Sequence, residues 1–125
     1  MNVVDSSGWI EYFTRGANAP FFIPPLRDSR NLLVPSICIY EVFKRLLTEL
    51  DEDAALLAVG WMSQGQEVAL ERNIALEAAR LSRELKLAMA DSVILATARA
   101  HRATLWTQDA HFKGMDGVNY VEKKD

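Results

Sequence analysis

The sequence predicts a three-layer α/β/α sandwich around a mostly parallel sheet of four to five strands, folded as a single domain over residues 1–125. Two observations carry that expectation. Short runs rich in Val, Leu and Ile alternate with longer stretches whose apolar residues recur at helical spacing, the rhythm of βα units. No repeat, linker or low-complexity segment interrupts the alternation.

Asn2-Val-Val-Asp5 opens the chain as a strand, and Ser6 or Ser7 is expected to cap the helix SGWIEYF that follows. Gly16-Ala-Asn-Ala-Pro20 breaks that helix. Phe21-Phe-Ile-Pro-Pro25 then reads as a short helix or turn packed on the domain. Asn31-Leu-Leu-Val34 is the second expected strand, with Ser36 as the cap of a helix from about Ile37 to Leu50. Its apolar face is expected at Ile39, Phe43, Leu46, Leu47 and Leu50. Asp51-Glu-Asp53 opens another helix at the end where the helix dipole favours acids; Gly60 interrupts it mildly and Gly65 ends it. A third strand is expected over Glu67 to Leu70, then an amphipathic helix from Glu71 to Leu85. Asp91 begins an alanine-rich helix, Ala103 to Thr107 is β-branched and aromatic enough for a strand, and Asp109 lies just beyond it. Val118 to Val121 offers a last strand before a solvated tail, Glu122 to Asp125.

Composition narrows the function classes. Fourteen Lys and Arg against seventeen Asp and Glu give a formal charge of −3, which argues against a broad basic nucleic-acid surface. A local groove or a bound cation can still supply positive charge where it is needed. The lone Cys38 excludes an intramolecular disulfide and a cysteine zinc cluster, and its apolar setting makes it a small core residue. With a strand from the first residues, no signal peptide is expected, and no apolar run is long enough to span a bilayer, so a cytoplasmic location is expected.

Acids at strand ends are the residues that point to chemistry. Ligands of an open parallel sheet bind beyond the carboxyl ends of its strands, the rim to which Asp5 and Asp109 both belong. Asp91 sits in the first turn of a helix, where unpaired N–H groups favour its ionised form. Glu41 falls opposite the expected apolar face of its helix, and periodicity alone reads it as an ordinary solvated glutamate. Carboxylates sharing a small pocket repel one another, and a hard divalent cation is the usual neutraliser. Neither His101 nor His111 is required by such a carboxylate site, and neither has a partner histidine at ligand spacing.

The stretches VVDSSGWIEYF at Val3 to Phe13, SICIYEVFKRL at Ser36 to Leu46 and ADSVILATARAHRATLWTQDAHF at Ala90 to Phe112 together resemble a PIN domain. Within that family they are most similar to the VapC-type toxins of bacterial and archaeal toxin–antitoxin pairs. The resemblance implies an endoribonuclease dependent on Mg²⁺ or Mn²⁺, with Asp5, Glu41, Asp91 and Asp109 holding the metal and Thr107 assisting. A metal-activated water would then attack the phosphodiester in line. Many relatives carry asparagine two residues after the first acid; here Ser7 stands there and can still hold a metal-bound water. Asp116 reads as an ordinary turn residue.

The same resemblance implies a homodimer silenced by a small antitoxin, with Trp9, Phe21, Phe22 and Ile23 as candidate antitoxin contacts. The competing reading places Trp9, Trp61 and Trp106 in the core. Candidate RNA contacts are Lys44, Arg45 and Arg99, with Arg102 and Lys113 behind them. A receiver-type signalling domain is excluded because Asp5 is followed by two serines, and an aspartyl-nucleophile phosphatase because position seven is not aspartate. The surviving alternative is a PIN-like domain that binds RNA or protein without cutting. Such a domain should have lost one or more acids, and all four are present.

Overall fold

The structure, a computed structural model, describes residues 1–124, so the expected tail is described only as far as Lys124. Among the described residues the strands are β1 (Asn2–Val4), β2 (Leu32–Pro35), β3 (Gln66–Val68), β4 (Thr104–Thr107) and β5 (Val118–Tyr120). The helices are α1 (Ser6–Phe13), α2 (Ala19–Arg27), α3 (Ser36–Glu49), α4 (Glu52–Met62), α5 (Arg72–Leu85) and α6 (Met89–Ala100). The strands form one sheet in the order β3-β2-β1-β4-β5, every pairing parallel. This is the expected α/β/α sandwich, with the sheet at its five-strand limit.

Strand order sets the place of the functional site. From β1 the chain steps outward to β2 and β3, then returns across the sheet to β4 on the other side of β1. Crossovers between parallel strands are right-handed, so the two directions send their helices to opposite faces and leave a crevice where the order reverses. That crevice lies beyond the carboxyl ends of β1 and β4. Their register pairs Val4 with Trp106, so Asp5, just past β1, stands beside Thr107, the last residue of β4.

The core joins Val3, Val4, Leu33, Val34 and Leu105 of the sheet to Phe22, Leu46, Ile94, Leu95 and Phe112 from the elements around it. Each such side chain contributes roughly 1.5–3 kcal/mol by leaving water. α6 is buried continuously from Ser92 to Ala98, which explains why its apolar residues surround the helix rather than forming a stripe. α2 carries Pro20 in its first turn, where the missing N–H costs nothing, and also Pro24 and Pro25 internally. Buried Phe22 and Pro25 anchor this short helix.

Several sequence expectations shift by a residue, with consequences. The buried stripe of α3 is Cys38, Val42 and Leu46, while Leu47 and Leu50 are exposed. The core face is therefore rotated from the one expected, because the β-branched Val42 rather than Phe43 meets the sheet side. Asp5, not Ser6 or Ser7, caps α1, accepting from the Gly8 N–H. Ser36 is the first residue of α3 rather than its cap, and its hydroxyl donates to Glu67 instead. Trp9 is buried and Trp106 half-buried, but Trp61 stands 59% exposed on α4 and does not fill the core. Asp116 lies in the turn before β5. Among the described residues no helix is long and apolar enough to cross a membrane.

Candidate metal centre

Asp5 leaves β1 and turns at once into α1, and three donors fix its carboxylate. Oδ1 accepts from Ser7 Oγ at 2.7 Å and from the Gly8 N–H at 3.1 Å, while Oδ2 accepts from Thr107 Oγ1 at 2.8 Å. Gly8 is required for this geometry: a Cβ there would stand 2.6 Å from both the Phe22 ring and Val4 Cγ1. α1 can therefore start close against β1 only with glycine at this place. Thr107 also accepts from the Asp109 N–H at 2.9 Å, so one hydroxyl ties the first acid to the backbone of the last.

Burial dominates the electrostatics of Asp5. Desolvation pushes its pKa up from 3.8 to about 7, against the lowering effect of the Ser7, Thr107 and Gly8 donors, and the nearby Asp109 charge raises it further. Asp91, in the first turn of α6, is also raised, by burial first and by Asp109 second, with the His111 hydrogen bond opposing. The helix N-terminus was expected to favour its ionised form; burial and a like charge outweigh that dipole.

Glu41 faces the same space. The rotation of the α3 core face leaves Glu41, Lys44, Arg45 and Thr48 as a helical stripe along one wall of a cleft of about 410 Å³. Asp5, Asp91 and Asp109 line the same cleft, so the structure brings all four acids together. Glu41 Oε1 is held by Ser6 Oγ at 2.7 Å. Ser6, whose only apparent role in the sequence was as a cap, thus orients an acid thirty-five residues away.

Other candidates fall apart spatially. Lys44 and Arg45 line the cleft, but Arg99 lies two helical turns beyond Asp91, about 12 Å along α6 toward its far end. Arg102 is in the turn after that end, and the Lys113 ammonium sits 5.9 Å over the Tyr120 ring. Trp9 and Phe22 are buried, so they offer a partner little surface; Phe21 and Ile23 are half-buried, Phe21 lying 5.3 Å from the Trp106 ring. His111, set aside on sequence grounds, lies at the site. Its Nδ1 is 3.2 Å from Asp109 Oδ1 and 3.5 Å from Asp91 Oδ2. The signal that could have revealed it is the Thr-x-Asp-x-His spacing: an aspartate capping a short turn brings the residue two places on back beside its own carboxylate.

The donor chemistry fits a divalent cation. Four carboxylates face one cleft, two of them, Asp5 and Asp91, pushed toward the neutral form by burial first and by the neighbouring Asp109 charge, and a hard cation relieves both penalties. Ligand atoms of Asp91, Asp109 and His111 all lie within 4.8 Å of one another, the tightest grouping suited to a metal among the described residues.

A parallel α/β sheet with an acid-lined cleft at its switch point has the layout of a ligand-binding α/β fold. The PIN domain family matches residues 3–118, and the chain belongs to that family. Comparison with curated proteins finds no match. Among solved structures, a toxin–antitoxin complex from Klebsiella pneumoniae shares 25% identity over 95% of this chain and 96% of that one, with a TM-score of 0.79. DNA-bound VapBC from Salmonella typhimurium superposes at a TM-score of 0.75 over 98% of both chains, at 17% identity. VapC20 of Mycobacterium tuberculosis, a toxin that cleaves the sarcin–ricin loop, gives a TM-score of 0.70 at 14% identity over 83% of this chain and 85% of that one. The last two are likenesses of fold.

Proposed function

We propose that the protein is a metal-dependent endoribonuclease, the toxin of a VapBC-type toxin–antitoxin pair acting in the cytoplasm. The observation that carries this reading is the convergence of Asp5, Glu41, Asp91 and Asp109 on one cleft at the sheet's switch point, with Lys44 and Arg45 on its wall. Asp5, Glu41, Asp91 and Asp109 would hold Mg²⁺ or Mn²⁺ in this cleft. When bound, such a cation lowers the pKa of a water and offsets charge developing on a phosphodiester. Ser7 and Thr107 keep Asp5 oriented while it is ionised, and Thr107 holds the Asp109 backbone at a fixed distance from it. Lys44, and Arg45 with its Nε also paired to Glu49, offer cations to the RNA backbone on the α3 side of the cleft. Four retained acids argue against the alternative of a binding domain that no longer cuts.

The partner reading rests on the toxin–antitoxin complexes among the structural relatives. A homodimer and a small antitoxin belong to it. Burial of Phe22 moves the proposed antitoxin surface from the Phe21–Ile23 segment toward the groove lined by Trp9, Tyr12, Leu26 and Trp61. Exposed Leu57 and Trp61 on α4 continue that apolar surface. A gene neighbourhood without a small adjacent open reading frame counts against this part alone.

Incubation of the purified protein with RNA in Mg²⁺ or Mn²⁺ tests the enzymatic part. Wild type should cleave and lose cleavage on chelation, while Asp5→Ala and Asp91→Ala should each lose at least about a thousandfold in rate. Cutting that persists equally in both variants rejects the site.

A further inference from the structure

We infer that His111 is itself a metal ligand, giving the Asp91–Asp109 end of the cleft a nitrogen donor that favours a transition metal over Mg²⁺. This rests on the metal-site reading above and goes beyond it, since that reading uses carboxylates alone.

Position is the first argument. Two ligands in neighbouring positions on a six-coordinate ion, each about 2.1 Å from it, stand about 3 Å apart. His111 Nδ1 lies 3.2 Å from Asp109 Oδ1 and 3.5 Å from Asp91 Oδ2, close to that separation on both sides. Neither Asp5 nor Glu41 joins so tight a trio among the described residues.

Construction is the second. The backbone carrying His111 is held rather than loose. Asp109 caps the 3₁₀ turn Ala110–Phe112 by accepting from the His111 N–H at 2.9 Å, and Phe112 at the end of that turn is fully buried. The histidine is thus clamped at its own backbone by one proposed ligand and next to a core anchor, with the ring turned back to the carboxylates. The ring is otherwise 72% exposed, so the core does not hold it there. An exposed imidazole gains little from two carboxylates alone, because water screens such pairs. It gains much more from a shared cation.

Chemistry is the third. Mg²⁺ prefers oxygen and water, whereas imidazole affinity rises along the first transition series. One nitrogen among oxygens therefore tilts the choice of ion without excluding Mg²⁺.

Mn²⁺ binding to the full chain tests this. Titration calorimetry with Mn²⁺ and with Mg²⁺ would be run on wild type, His111→Ala and Asp91→Asn, alongside pulsed EPR of bound Mn²⁺ in protein with ¹⁵N-labelled histidine. Wild type should show histidine nitrogen coupling to Mn²⁺ and bind Mn²⁺ more tightly than Mg²⁺. His111→Ala should lose the coupling and weaken Mn²⁺ binding by about tenfold or more, with a much smaller change for Mg²⁺. Unchanged Mn²⁺ affinity in His111→Ala, with no nitrogen coupling in wild type, overturns the histidine ligand while leaving the carboxylate site standing if Asp91→Asn still abolishes binding. Wild type that binds neither ion overturns both.

Discussion

The two walls of the cleft are built on opposite plans. On the sheet side, Asp5 is buried and receives three hydrogen bonds, from Ser7, Gly8 and Thr107. On the α3 side, Glu41 is half-buried, has one donor in Ser6, and stands in a row with exposed Lys44 and Arg45. The sheet wall is set before any ligand arrives, and desolvation there raises the cost of its negative charge. The helix wall is solvated and adjustable, and it carries the positive charge. On the proposed function, this division would serve a compact cation and an anionic chain at once: the sheet side fixes a buried carboxylate, and the α3 side sets basic groups beside Glu41 for the phosphates.

The largest contrast between the walls should appear at Asp5. In the metal-free protein the folded state keeps the Asp5 proton to a pH of about 7, whereas the unfolded chain releases it near 3.8. The folded state binds that proton more tightly, so its contribution to stability is complete below 3.8 and is lost as pH rises through about 7. The window corresponds to up to about 4 kcal/mol. Asp5→Asn has no proton to lose and should escape this decline while abolishing RNA cleavage. Denaturant midpoints in chelator at pH 5 and pH 8 should fall with pH in wild type and much less in Asp5→Asn. Glu41→Gln should leave the wild-type decline in place. Parallel declines in wild type and Asp5→Asn would break the contrast.

The hydroxyls that orient the two acids give the next test. Thr107→Val removes the donor to buried Asp5 and the acceptor for the Asp109 N–H, both within the sheet wall. It should cost about 1–3 kcal/mol of stability and at least about tenfold in cleavage rate. Ser6→Ala removes the single donor to Glu41 and should cost less on both counts, a few-fold in rate, because water can replace a hydroxyl at the half-exposed wall. Equal losses in the two variants would mean that the helix wall is as fixed as the sheet wall.

How far each wall could be read from the sequence follows the same division. Asp5, Asp91 and Asp109 are tied to element ends, and element ends are set by local patterns: a β-branched run, an alanine-rich helix, a Thr-x-Asp turn. Their convergence follows from strand order, which the βα alternation and the rim rule anticipate. Glu41 depends on which face of α3 meets the sheet. Periodicity chose the face Ile39, Phe43, Leu46, Leu47 and Leu50; the structure buries Leu46 as expected but adds Cys38 and Val42 and exposes Leu47 and Leu50, a rotation that turns the glutamate toward the cleft. Cys38 and Val42 are small, so a stripe weighted by side-chain size undervalues them where a helix packs close to a sheet. The Ser6–Glu41 bond and the His111 position are long-range or turn-specific contacts that no helical or strand period encodes. Arg99 shows the converse error: it shares a helix with Asp91, but eight residues of rise carry it away from the cleft.

That separation provides the smallest and most discriminating measurement. Lys44 and Arg99 are both exposed basic residues, and composition treats them alike. Only Lys44 borders the cleft; its ammonium stands 5.7 Å over the Tyr40 ring, which keeps it at the rim without pairing it to an acid. Lys44→Ala should weaken RNA binding by a few-fold and lower the slope of log affinity against log salt by about 1, since one phosphate contact releases about one counterion. Metal affinity should change little, because among the described residues no ion pair joins Lys44 to Asp5, Glu41, Asp91 or Asp109. Arg99→Ala should leave affinity, slope and metal binding as in wild type. Should Arg99→Ala match Lys44→Ala, the RNA path would have to run over the far end of α6, and the helix wall would lose its assigned role.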